Sequence, residues 1–125
     1  MTSLRYNPES KKLLDTVALN LPHALLIDGP DGVGLLTIAR EIAWRDLAGV
    51  IQSTDSKGAV DTSAKGVIRV TQIRELIQST RGKLTERQIF VVDEADKMNQ
   101  QAQNAFLKLL EEPNEHVSFI LTSHA

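Results

Sequence analysis

No cysteine occurs in the 125 residues, which excludes disulfides and thiolate-bound metal together. Charge of one sign is also missing. A formal net charge of -2 excludes a globally basic nucleic-acid binder, although a local basic patch stays compatible with it. No apolar run approaches the roughly 20 residues of a membrane span, and Met1 to Tyr6 holds no hydrophobic signal region. The expected setting is therefore the cytoplasm, away from any membrane. The three histidines, His23, His116 and His124, lack ligand spacing and read as ordinary surface or loop residues. What remains, 42% hydrophobic and 24% charged residues, suits one globular domain spanning residues 1–125.

The hydrophobic pattern alternates between helical and strand periods. Asn7-Pro8-Glu9 reads as a helix start, followed by Leu13, Leu14, Val17, Ala18 and Leu21 at helical spacing. Ala24 to Asp28 is a short apolar run of the buried-strand kind. After a glycine loop, Leu36, Ala39, Ile42, Ala43 and Leu47 supply the buried stripe of a second helix. Ala48 to Gly66 is rich in Ser, Thr, Gly, Asp and Lys, and predicts a flexible surface loop. Val67 to Val70 predicts a strand, Thr71 a helix cap, and Arg81-Gly82-Lys83 the helix end. Ile89 to Val92 is a second buried strand, Asn99 caps a helix that stops at Pro113, and Val117 to Leu121 closes the series. This order predicts an α/β fold, a parallel sheet with helices on both faces.

Two motifs carry chemistry. Gly29-Pro30-Asp31-Gly32-Val33-Gly34 has the glycine spacing of a phosphate-binding P-loop, whose backbone N–H groups cradle phosphate oxygens. The next two positions need a Lys for the outer phosphates and a hydroxyl for Mg²⁺, yet they are Leu35 and Leu36. Losing one charge-assisted hydrogen bond costs about 1.5–3 kcal/mol, or one to two orders of magnitude in triphosphate affinity. Thr37 lies one position late and is rotated about 100° around the helix, so it is a poor replacement. The second motif is Asp93-Glu94 at the end of an apolar strand, a Walker B pattern that places one carboxylate for Mg²⁺ and one for the attacking water. Asp96 and Lys97 read as solvated loop charges. Arg69, Arg74, Arg81, Lys83 and Arg87 could line a basic surface, though Glu75 and Glu86 interrupt it.

Leu21-Pro22-His23-Ala24-Leu25-Leu26 leading into the glycine loop, Val70-Thr71-Gln72-Ile73-Arg74, Val91 to Asn99, and Ala102 to Pro113 with its terminal Glu111-Glu112-Pro113 together resemble the AAA+ domain of bacterial DNA polymerase III clamp-loader subunits. The resemblance spans almost the whole chain. It implies a P-loop NTPase core, with Gly29, Gly32 and Gly34 as its phosphate loop, Asp93 and Glu94 as its acidic pair, and Thr122 in the sensor 1 region of Phe119 to Ser123. Within that family, gamma/tau subunits keep a working P-loop and delta-prime subunits often carry a degraded one, so Leu35-Leu36 makes this chain similar to delta prime. The family's four-cysteine zinc module is absent from Ala48 to Gly66, and no metal site is expected. Its Ser-Arg-Cys motif, helical lid and collar are absent too, which reads as an isolated domain or a truncated product.

The resemblance implies a role in DNA replication: a subunit that helps load the sliding clamp onto primed DNA, with gamma/tau-like and delta-like subunits as partners. The isolated domain is expected to be monomeric and to bind ATP and Mg²⁺ weakly at most, with Asp93 and Glu94 catalytic relicts. The alternative is a weakly active AAA+ ATPase of the same fold, either a gamma-like loader subunit or another AAA+ regulator.

Overall fold

The computed structural model describes residues 2–6, 21–30, 34–81, 85–112 and 114–124. Five strands, β1 (Thr2–Arg5), β2 (Ala24–Asp28), β3 (Leu47–Ile51), β4 (Gln88–Val92) and β5 (Val117–Ser123), form one sheet in the order β1-β2-β5-β4-β3. Every pairing is parallel. Among the described residues three α-helices connect them: α1 (Leu35–Ala43), α2 (Val70–Ser79) and α3 (Gln100–Glu111). The path from β2 over α1 to β3 runs one way across the sheet, and the paths over α2 and α3 run back. Right-handed crossovers therefore put α1 on one face and the other two helices opposite.

Alternation along the buried strands splits the core accordingly. Ile89 and Val91 of β4 join Leu25, Ile27 and Ile120 beneath Leu35, Ala39 and Ala43 of α1. Phe90 and Val92 turn to the other face with Phe119 and Leu121, beneath Ile73, Leu76, Ala102 and Phe106. Phe119 is 1% exposed and meets Phe106 edge-on at 5.3 Å, Phe90 at 6.1 Å and the ring of His23 at 5.7 Å. His23 is thus a packing residue rather than a surface one. Its Nδ1–H donates to the Val117 carbonyl at 2.9 Å. Burying aromatics of this size contributes about 1.5–3 kcal/mol each.

The buried elements match the sequence expectations closely: β2, β4 and the Asn99-capped helix stand where predicted. Asn99 Oδ1 accepts the Ala102 N–H at 2.9 Å. The edges differ. β1 carries no strand signal in sequence, since Thr2–Arg5 offers only Leu4 to the core; it pairs with β2, and Arg5 lies 3.7 Å from Asp28. The helix expected after Asn7 lies outside the described residues, as do Gly82, Lys83 and Pro113. α1 ends at Ala43, and Trp44–Asp46 form a 3-10 turn with Trp44 at φ 42°. Leu47 accordingly belongs to a strand, not to the helical stripe. The strand expected over Val67–Val70 is reduced to isolated bridges, Thr54 with Val67 and Ile68 with Met98, and α2 starts at Val70. Gln72, not Thr71, closes its first turn by accepting the Arg69 N–H at 2.8 Å.

The loop expected over 48–66 begins as strand. Residues 48–51 belong to β3, an edge strand paired with β4. The remainder is held by its own polar residues. Ser53, 1% exposed, donates through Oγ to the Asp61 carbonyl. Thr54 pairs with both Val60 and Val67. Asp55 accepts the N–H groups of Lys57 and Ala59 at 2.8 and 3.1 Å, and Asp61 that of Ser63 at 2.9 Å. A Cβ on Gly66 would lie 1.9 Å from the Asp61 carbonyl oxygen. Composition alone does not separate turn-forming residues from solvated ones, because the same residue types do both. Among the described residues no helix is long and apolar enough to cross a membrane.

Two outcomes follow from this packing. Gly66→Ala is expected to destabilise the chain by about 1–3 kcal/mol in chemical denaturation, since backbone must move to admit the methyl; an unchanged midpoint would contradict the packed turn. The Asp61 carboxyl is held below its ordinary range by hydrogen bonds from the Ser63 side chain and backbone, with Lys97 and Lys65 adding to the effect. A depressed folded-state pKa makes the contribution complete above the unfolded value and lost as pH falls through the folded one. Exchange protection of the Ser63 amide should therefore fall as pH drops below about 4, and Asp61→Asn should flatten that dependence.

Candidate functional site

The C-terminal ends of β2, β4 and β5 bring the glycine loop, the acidic pair and Thr122 to one rim of the sheet, where parallel α/β folds place their ligands. β2 ends at Asp28, and the Gly29 N–H bonds to the Ser123 carbonyl at 3.1 Å. Gly34 caps α1 in the left-handed region, φ 73°, and its carbonyl accepts the Ile38 N–H at 3.1 Å. A side chain there would be strained. Gly32 lies outside the described residues.

The two leucines have different surroundings. Leu35 is 1% exposed and sits with Leu25, Ile27, Ala39 and Ile120 in the core beneath α1. Leu36 is half-buried at the edge of the same cluster. The position where a P-loop needs its Lys has thus become a core position, and an ammonium there would face hydrocarbon.

β4 delivers the acids. Asp93 is 9% exposed, and its N–H donates to the Ile51 carbonyl at 2.9 Å. Thr122, fully buried in β5, donates its hydroxyl proton to Asp93 Oδ1 at 2.8 Å and accepts the Glu94 N–H at 2.8 Å. Glu94 occupies the left-handed region at φ 52°, a strained conformation for a residue with a side chain. Its Oε2 accepts from Lys97 Nζ at 3.0 Å. Lys97 is not the solvated charge expected: its side chain is 16% exposed, and Nζ also donates to the carbonyls of Thr62 and Ser63 at 3.0 and 2.9 Å. The i,i+3 spacing of Glu94 and Lys97 was the available signal.

Gly29, Gly34, Leu35, Asp93, Glu94 and Thr122 therefore gather at one rim. The five cations of the expected basic surface do not all gather. Arg69 precedes the ten-residue α2 and Arg81 lies beyond its end, with about 15 Å of helix between them, while Lys83 lies outside the described residues. Among the described residues no three His, Asp or Glu side chains converge as a metal site would require.

Comparison with known proteins accords with this architecture. The family model described as DNA polymerase III, delta subunit, matches residues 44–125. The DNA polymerase III subunit gamma of Buchnera aphidicola subsp. Schizaphis graminum is 32% identical over 120 residues, covering 81% of this chain and 32% of the relative. The replication factor C small subunit of Methanosarcina barkeri is 34% identical over 111 residues, covering 82% of this chain and 31% of the relative. A crystal structure of a DNA polymerase III gamma subunit-related protein from Thermotoga maritima superposes with a TM-score of 0.63 at 24% identity, over 89% of this chain and 39% of that one. The chain thus spans about a third of the length of the curated relatives it matches. The parallel sheet with helices on both faces, the rim of glycines and acids, and the match over residues 44–125 agree, and the chain belongs to the family described as DNA polymerase III, delta subunit.

Proposed function

We propose that this chain is the AAA+ core of a delta-prime-like clamp-loader subunit that keeps the ATPase fold and does not hydrolyse ATP. The observation that carries this reading is Leu35, 1% exposed in the core beneath α1, at the position where phosphate binding needs a cation. The residues present fit Mg-ATP poorly elsewhere too. Leu36 has no hydroxyl for the metal, the Gly29 N–H is committed to Ser123, and Glu94 is engaged by Lys97. The internal partners of Asp93 and Glu94 replace those that a bound nucleotide would supply, so the rim serves as a rigid structural element.

Its role in that reading is in DNA replication, within an assembly of gamma/tau-like and delta-like subunits that places a sliding clamp on primed DNA. The domain alone is monomeric and cytoplasmic in this account. A second reading, a weakly active ATPase of the gamma type, draws support from the retained bonding of Thr122 to Asp93 and Glu94 and from the gamma relatives.

Substitution at the loop separates them. Leu35→Lys should destabilise the chain by more than about 3 kcal/mol, because the ammonium is buried without a partner, whereas Leu36→Thr, at a half-buried site, should cost about 1 kcal/mol. Near-equal denaturation midpoints for the wild type and Leu35→Lys, together with new Mg-ATP binding, would favour the second reading. Assembly is tested by sedimentation of the domain alone and mixed with gamma/tau-like and delta-like subunits. A monomer alone is expected, with binding to those subunits that strengthens when the regions that follow the core in its relatives are included. A stable homo-oligomer, or indifference to both subunits, would contradict the assignment.

A further inference from the structure

We propose that Lys97 is a positioning residue that holds the Glu94 carboxylate against the Thr62–Ser63 backbone and makes the acid and that backbone move as one unit. The inference builds on the reading of Glu94 as the acid of a silenced site, yet its test involves no nucleotide, so the two can fail separately.

The first part of the case is where Lys97 is held. It ends the 3-10 turn Ala95–Lys97, and its backbone is fixed on both sides: its N–H donates to the Glu94 carbonyl at 2.9 Å, and its carbonyl accepts the Ile68 N–H at 2.9 Å. The following Met98 pairs with Ile68, and the Asn99 N–H returns to the Ile68 carbonyl at 3.1 Å. The side chain therefore leaves a rigid platform rather than a loop.

The second part is what the ammonium meets. Its three protons have three acceptors: Thr62 O at 3.0 Å, Ser63 O at 2.9 Å and Glu94 Oε2 at 3.0 Å. Lysine is almost never buried without a counter-charge, because desolvating an ammonium is costly unless every proton is matched. The two carbonyls orient it and do not neutralise it. Among the described residues Glu94, 23% exposed at its side chain, supplies the only carboxylate in contact. Asp61 feels Lys97 through space, but its own carboxylate is occupied by Ser63. Lys65 and Asp96 are exposed.

The bonds are therefore interdependent. Drawing Glu94 away leaves the ammonium uncompensated, which favours its return to water and strips the partner from the Thr62 and Ser63 carbonyls. That loosening reaches the bond from Asp61 N–H to Ser53 O, 2.9 Å, and the bridge between Thr54 and Val60. Val60 is 63% exposed, so a change at the acidic rim would be felt at the surface. The strained backbone of Glu94, φ 52°, is part of the same arrangement.

Amide hydrogen exchange of the whole chain tests the coupling, read at Asp61 and Val67. Glu94→Gln and Lys97→Met are each expected to raise exchange there by about 5-fold, and the double variant is expected to exchange no faster than Lys97→Met alone. Asp96→Asn, an exposed neighbour, should leave both amides unchanged. The ¹⁵N signal of the Lys97 ammonium is expected to be observable in the wild type and lost in Glu94→Gln; this readout stands even if Lys97→Met folds poorly. Unchanged protection in Glu94→Gln, multiplicative effects in the double variant, or an ammonium signal that survives Glu94→Gln would each overturn the proposal.

Discussion

The hydroxyl of Thr122 is where fold and site depend on each other. It lies fully buried in the central strand β5, donates to Asp93 and accepts from the Glu94 N–H. One side chain thereby satisfies a buried carboxylate and a strained backbone amide, each of which would cost about 1–3 kcal/mol if left unpaired. β5 can present it only because all seven of its residues are buried between β2 and β4 with helices on both faces. The register follows: Thr122 stands beside Ile27, one residue before β2 ends at Asp28, so the glycine loop and the acidic pair open on the same rim.

Around that anchor, the rim has been turned inward. Leu35 faces the α1 core, the Gly29 amide bonds to Ser123, and Glu94 to Lys97. In the proposed reading, the internal hydrogen bonds of Gly29 and Glu94 take the place of partners that a nucleotide would provide. The proposal needs no change of fold, because the glycine loop and the acidic turn are also needed to join strand to helix. Gly34 still supplies the left-handed cap of α1 at φ 73°, whatever passes in front of it.

Which parts of this were legible in the sequence follows from burial. β2 and β4 are runs of apolar residues ending at a glycine or an acid, and α3 carries both its cap at Asn99 and its stripe at Ala102 and Phe106. These signals are strong because both faces of a central strand and one face of a helix must be apolar. Edge strands carry no such obligation. β1 gives the core only Leu4, and β3 contains Ala48 and Gly49, the latter close against the Phe90 ring, so neither stood out from loop. Ser53, Thr54, Asp55 and Asp61 were illegible for another reason: their hydrogen bonds are to partners distant in sequence or to turn amides, and polar composition alone does not distinguish a built turn from a solvated one. Lys97 escaped because its carbonyl partners, Thr62 and Ser63, lie more than thirty positions upstream. The leucines after the glycine loop were visible as an absence of chemistry; that Leu35 had become part of the core required the fold.

The central claim is that this rim is structural and not a nucleotide site. Isothermal calorimetry of the wild-type chain with Mg-ATP tests it most directly. The account predicts no saturable heat up to about millimolar nucleotide, the level at which binding is worth only about 4 kcal/mol. Micromolar affinity, lost on Asp93→Asn, would contradict it.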